Sequence, residues 1–195
     1  MVNHILMKRL LFVACCMVIS ALLQLLQAES VYWRWAFWSE PWRWWSAHWV
    51  HVNWIHYFLN IFAFICLPFI FPRLRLSVLA ALLLVLPPLV SISFYYYFPE
   101  VEVYAGLSGV LHGLYIAAAL DALTIASERR FALLLLAVVG LKLFWENIFA
   151  AHDQIATMIG SPVLIEAHLL GAWWGVICTA LWLGYRQYQR HHALE

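Results

Sequence analysis

The stretch AGLSGVLHGLY, Ala105–Tyr115, decides how the chain is read. It opens a long apolar run with Ser108 set between small residues, and places His112 one helical turn further on. A hydroxyl and an imidazole are costly in an apolar run. When they occur there they face a bundle interior or a wet cavity, and they mark function.

Outward from that stretch the chain is apolar almost throughout. Of its 195 residues, 66% are hydrophobic and 11% charged, against about 45–50% and about 25% in soluble domains. A soluble core cannot absorb that excess, so the composition predicts an integral membrane protein. A net charge of +1 with no basic tract argues against a nucleic-acid partner. Cys15, Cys16, Cys66 and Cys178 lie in apolar runs without CxxC spacing. They read as small buried residues, implying neither a disulfide frame nor a metal site, and no cofactor is expected.

A spanning helix needs about 20 mainly apolar residues. Six stretches qualify, at 8–27, 50–71, 76–97, 106–126, 130–150 and 162–184. The expected fold is therefore all-α, a polytopic six-helix bundle forming one domain over 1–195. The first stretch has the basic flank of a signal peptide, but the run Leu10–Leu26 is long for an h-region and the residues before Glu29 make a poor cleavage site. An uncleaved first helix is expected. Pro87-Pro88 predicts a kink or a break in the third.

Six spans sort the basic residues into two sets. Lys8, Arg9, Arg73, Arg75, Arg129, Arg130, Arg186 and Arg190 fall on one side; Arg34 and Arg43 fall on the other, with Lys142 toward the end of the fifth span. This asymmetry predicts cytoplasmic termini in a multi-pass membrane protein. Glu29, Glu40, Glu100, Glu102, Asp153 and Ser108 then lie toward the outer side. The first outer connection, 28–49, contains VYWRWAFWSEPWRWWSAHW. It reads as an aromatic belt at the interface, as a loop sunk in the outer leaflet and bracing the bundle, or as both.

Other polar groups interrupt the apolar background. In HVNWIHYFLN, His56 and Asn60 are four apart and share a helical face, either as glue between helices or as part of a site. His51 reads as a tie between the tryptophan loop and the helix. Ser108 on its own would pass for an N-cap. Gly106 before it permits an unusual backbone, and Gly109 with Gly113 offers a flat face to another helix. The sixth span carries that match in EAHLLGAWWG, where His168, Gly171 and Gly175 share one face. If the two small-residue faces pack together, His168 lies at the depth of Ser108.

Such a pair can do acyl chemistry. A serine hydroxyl becomes a nucleophile when a base takes its proton, and imidazole is suited to the task. The backbone N–H groups of Leu107 and Ser108, with the His56 and Asn60 side chains, are the candidate oxyanion donors. One donor of that kind contributes about 2.7–4 kcal/mol to a transition state, whereas a membrane hydrogen bond averages about 0.6 kcal/mol. Catalysis therefore explains the polar set better than glue. No carboxylate is obviously placed as a third member: Glu166 points to another face, and Glu146 pairs with Lys142 four residues away. The expectation is a dyad, Ser108 and His168. His112 is expected to bond a neighbouring helix, and Asp121 to sit at the interface. A metal site from His48, His51, His56, His112 and His168 is disfavoured by their spacing.

These patches, in this order, resemble the rhomboid intramembrane serine proteases. EPWRWW resembles the tryptophan–arginine motif of their first loop, at Trp42 and Arg43; HVNWIHYFLN their second-helix pattern, at His51, His56 and Asn60; GLSG their GxSG nucleophile motif, at Gly106, Ser108 and Gly109; and AHLLG their sixth-helix pattern, at Ala167, His168 and Gly171. GLSGVLHG, which includes His112, together with EAHLLG is most similar to the rhombosortase branch. That resemblance implies membrane-anchored substrates with a glycine–glycine sorting tail, cut near the glycine pair, and allows the acyl group to pass to a lipid amine in place of water. The alternatives are a conventional rhomboid protease with other membrane substrates and a non-catalytic binder of membrane helices. A substrate helix would enter by a tilt of the fifth helix away from the second, with Phe144, Trp145 and Phe149 expected to line the gate.

Overall fold

A computed structural model describes residues 2–149 and 154–192. The long helices are α1 (Val2–Gln24), α4 (Trp54–Ile70), α5 (Leu76–Tyr97), α6 (Ser108–Ala122), α7 (Arg129–Phe149) and α9 (Ile165–His192). Short pieces join them: α2 (Gln27–Ser30), α3 (Arg43–Ser46) and α8 (Gln154–Ile159), with two-residue strands β1 (Tyr32–Trp33) and β2 (Val103–Tyr104). Asp153, expected on the outer side, lies outside the described residues.

Among the described residues, α1, α5, α7 and α9 are long and apolar enough to cross a membrane. The other two expected spans are shorter, with 17 residues in α4 and 15 in α6. At about 1.5 Å per residue they reach roughly 22–25 Å, less than the ~30 Å hydrocarbon core. Local chemistry sets their starts. The Asn53 backbone is extended and its side chain accepts from the His56 N–H at 2.9 Å, so α4 begins at Trp54 and not at residue 50. Gly106 has φ +144°, a conformation open to glycine that no helix adopts, so α6 begins two residues later. This short helix is the innermost one. Gly109, Val110, Leu111, Gly113, Leu114 and Ala117–Ala119 are all buried, as expected of a helix apolar on every side.

Pro87-Pro88 does not interrupt the third span, because α5 runs unbroken over Leu76–Tyr97. A proline removes the N–H that would reach the carbonyl four residues back. For Pro88 that is the Leu84 carbonyl, and the Trp45 indole N–H donates to it at 2.7 Å. One turn on, Ser91 donates to the Trp44 carbonyl at 3.1 Å, and His48 Nε2 donates to the Ser91 hydroxyl at 3.1 Å. His48 is fully buried, and burial pushes its pKa down to about 3. It is therefore a neutral structural histidine.

The tryptophan loop thus braces the bundle. Phe37 stacks on Tyr95 of α5 with ring centroids 4.2 Å apart. Arg43 is buried, donating to the carbonyls of Ala28 and Val31 at 3.0 and 2.8 Å and to Glu40 at 2.5 Å. Trp42 donates to the Glu29 carbonyl at 3.1 Å. An antiparallel pairing that the sequence did not suggest, Tyr32 opposite Tyr104 and Trp33 opposite Val103, ties the loop to the segment entering α6. Gly106 N–H then donates to the Ala47 carbonyl at 3.0 Å. His51 is held through its backbone, which exchanges 2.7 Å bonds with the Gln24 side chain. The opposite end of the bundle is bound by charge. Arg9 donates to the carbonyls of Pro68 and Leu74, and Arg73–Glu128 and Arg186–Asp121 pair at 2.9 and 2.8 Å.

Candidate active site

The site begins with two helices in backbone contact. A methyl group added at Gly109 would come 2.7 Å from the Ala167 carbonyl oxygen, and one at Gly113 would come 2.6 Å from that of Gly171. Only glycine permits so close an approach of α6 and α9. The contact sets Ser108, first residue of α6, against His168, in the first turn of α9. The Ser108 hydroxyl donates to His168 Nε2 at 2.9 Å. It does not cap its helix: the capping position is Leu107, without a side-chain cap.

The second expected pair flanks them. His56 and Asn60 line, with Ser108 and His168, a cavity of about 450 Å³. His56 approaches the loop before Ser108 because residue 106 has no side chain: a Cβ there would lie 2.9 Å from His56 Cε1. Asn60 donates one amide hydrogen to the His56 carbonyl at 3.0 Å, and its second is free for another acceptor. The N–H groups at the start of α6, Leu107 and Ser108 among them, lack intrahelical partners, as at any helix start. His51 stands behind His56, ring edge to face at 5.0 Å. Its own ring nitrogens have no hydrogen-bond partner among the described residues. Tyr104 donates to the Gly106 carbonyl at 2.5 Å and fixes the turn before Ser108.

Two expectations are corrected here. Glu146 does more than pair with Lys142: its other oxygen lies 2.9 Å from His168 Nδ1. A carboxylate therefore occupies the position the sequence reading left vacant. The Lys142 ammonium donates both to Glu146 and, at 3.2 Å, to His112 Nε2. His112 Nδ1 in turn donates to the Ser108 carbonyl at 2.7 Å, and its ring stacks on that of His168 with centroids 4.2 Å apart. His112 thus bonds a neighbouring helix, α7. The second correction concerns the gate. The α7 residues on the cavity are Leu135, Val138, Val139, Lys142 and Glu146, whereas Phe144, Trp145 and Phe149 are exposed and do not line it.

One group of residues among those described brings possible metal ligands together: His112, Glu146 and His168, with ligand atoms within 4.8 Å of one another. His112 and His168 are among the five histidines whose spacing disfavours a metal, and the fold adds Glu146 to them. The Lys142 ammonium bonds two members of the group, so a metal ion there would have to displace a cation already in place. All four cysteines are free.

Comparison with known proteins gives one match: residues 38–185 fit the family model of the Rhomboid domain. No curated protein and no solved structure matches the chain.

Proposed function

The chain belongs to the rhomboid family of intramembrane serine proteases, and from that premise we propose that it cleaves membrane-anchored proteins with Ser108 as nucleophile and His168 as base. The observation that carries this reading is the 2.9 Å bond between the Ser108 hydroxyl and His168 Nε2, at the wall of a cavity large enough for a peptide segment. Nε2 takes the hydroxyl proton as Oγ attacks the carbonyl carbon of the scissile bond. The oxyanion is met by the Leu107 and Ser108 N–H groups, His56 and the free Asn60 hydrogen. Collapse of the tetrahedral intermediate expels the amine, which leaves with the proton held on His168. The acyl group on Ser108 then passes to a water or an amine, which His168 deprotonates, and the proton returns to the Ser108 oxygen as it leaves.

The substrate proposed is an exported protein whose C-terminal membrane helix follows a Gly-Gly tail, cut near that pair, as in rhombosortases. Its support is the sequence GLSGVLHG with EAHLLG. A glycine pair at a helix end unwinds readily and exposes its carbonyls. Six spans, cytoplasmic termini and a site opening to the periplasm belong to the same proposal. Their support is the distribution of lysine and arginine between the two ends of the bundle. The test is co-expression with a Gly-Gly-tailed substrate and mass spectrometry of the new C-terminus. A free carboxylate means hydrolysis, and an added headgroup amine means transfer. An intact tail beside cleavage of other membrane proteins points to a conventional rhomboid. A serine-directed fluorophosphonate that fails to label the chain, or labels Ser108→Ala equally, points to a non-catalytic binder.

A further inference from the structure

We propose that Glu146 is the positioning residue of the base, and that Lys142 holds it there. The inference rests on the protease reading, and adds to the nucleophile and base a third group that the motifs do not contain. Neutral imidazole carries one ring proton, and the hydrogen bonds around it decide which nitrogen bears it. With Glu146 Oε2 2.9 Å from Nδ1, the proton stays on Nδ1 and is donated to the carboxylate. Nε2 is then left as the acceptor facing the Ser108 hydroxyl. Without a carboxylate, a ring only 4% exposed is free to take the other tautomer, which presents an N–H to Ser108 and cannot take its proton.

The donors and acceptors close into one consistent circuit. Ser108 donates to His168 Nε2, and His168 Nδ1 donates to Glu146. Lys142 donates to the other Glu146 oxygen and to His112 Nε2. His112 Nδ1 then donates to the carbonyl of Ser108 itself. Five bonds connect three helices, and none demands a proton that its donor lacks. A solvated i,i+4 pair does not look like this. The Glu146 side chain is only 12% exposed and is aimed into the bundle at the base, where an unpaired carboxylate would be costly. Lys142 neutralises that charge. Glu146 touches no reacting atom, so its effect passes wholly through His168.

The test uses the purified full chain in proteoliposomes, with fluorophosphonate inactivation resolved into a maximal rate and a binding constant. Glu146→Gln and Glu146→Leu are expected to lower the maximal rate by ~10²-fold or more, the direction seen when a triad carboxylate is neutralised. The binding constant should stay within about twofold, because Glu146 acts on the protonation of His168 and not on the reacting phosphorus. Glu146→Asp, which keeps the carboxylate on a shorter arm, should recover part of the rate, and Lys142→Met should lose rate in the same direction. Nitrogen-15 NMR of His168 should show Nδ1 protonated in the wild-type chain and a mixture of tautomers in Glu146→Leu. Wild-type maximal rates in both Glu146→Gln and Glu146→Leu would overturn the inference and leave the protease reading intact. So would an Nε2-protonated His168 in the wild-type chain, which decides the matter even if the variants do not fold. Stoichiometric metal lost on His112→Ala would also overturn it, by assigning the cluster to a metal. Labelling that is absent from the wild type, or that persists in Ser108→Ala, would instead defeat the protease reading itself.

Discussion

Ser108 and His168 stand on helices that touch through their backbones, whereas Glu146 and Lys142 stand on a helix whose outer half touches little. Along α6 and α9, four glycines bring carbonyl against Cα for two turns. Along α7, Ala132, Leu135 and Leu136 pack into the core near the helix start. Beyond them Leu141, Phe144, Trp145 and Ile148 are exposed, as suits a face turned to lipid. One wall of the cavity is thus held by close backbone contact. The other is held at its cavity end by the hydrogen bonds of two charged side chains. The proposed proton transfer thus sits on the closely packed wall, and the proposed substrate entry on the loosely packed one.

That contrast can be broken from either side. The largest effect is expected at the glycine contact. Gly171→Leu forces α6 and α9 apart at a site with no free volume, at a cost of about 3 kcal/mol or more; thermal unfolding should fall by roughly 10 °C and fluorophosphonate labelling should disappear. Leu141→Phe, of comparable bulk on the exposed face of α7, should change stability by no more than about 0.5 kcal/mol. Equal effects of the two would erase the distinction.

A covalent cross-link between α4 and α7, made outside the cavity lining, sharpens the compliant side. Cleavage of a membrane-bound substrate should stop, while a small soluble fluorophosphonate still labels Ser108. Unchanged turnover of the membrane substrate would show that α7 need not move. The smallest effect concerns the brace behind the rigid wall. Buried His48, with its pKa lowered from 6.5 to about 3, stays neutral where the unfolded chain takes up a proton. Stability therefore falls as pH drops below about 6.5 and keeps falling toward 3, by about 2 kcal/mol at pH 5. His48→Gln should make that acid limb of the melting-temperature profile shallower by the share of this one histidine, without moving the plateau above pH 7.

The rigid wall was legible in the sequence because its signal is local and repeated. Gly109 with Gly113, and Gly171 with Gly175, are spaced by helix geometry, and Ser108 and His168 sit at fixed offsets from them. The helix bounds 76–97 are legible for the same reason, since an apolar run reports its own length. What escaped depends on partners distant in sequence. Glu146 has a local partner in Lys142, and that pairing accounts for it until His168, 22 residues on, is brought alongside. The continuity of α5 through two prolines depends on Trp45, 39 residues earlier, reaching the Leu84 carbonyl. The two-residue pairing of β1 with β2 is too short to leave a periodic pattern. Of the aromatic residues expected at the gate, Phe144 lies on the opposite face of α7 from Lys142 and Glu146, whereas Phe149 shares their face but ends the helix beyond the cavity lining.

Because the carboxylate rides on α7, any tilt of that helix that widens the passage from the bilayer also draws Glu146 away from His168. Admission and readiness then become alternating conditions: with the passage open, the imidazole loses its orienting partner, and with the helix seated, it regains it. On the proposed mechanism such a chain would act as an interlock, reacting only with a substrate segment inside and α7 seated.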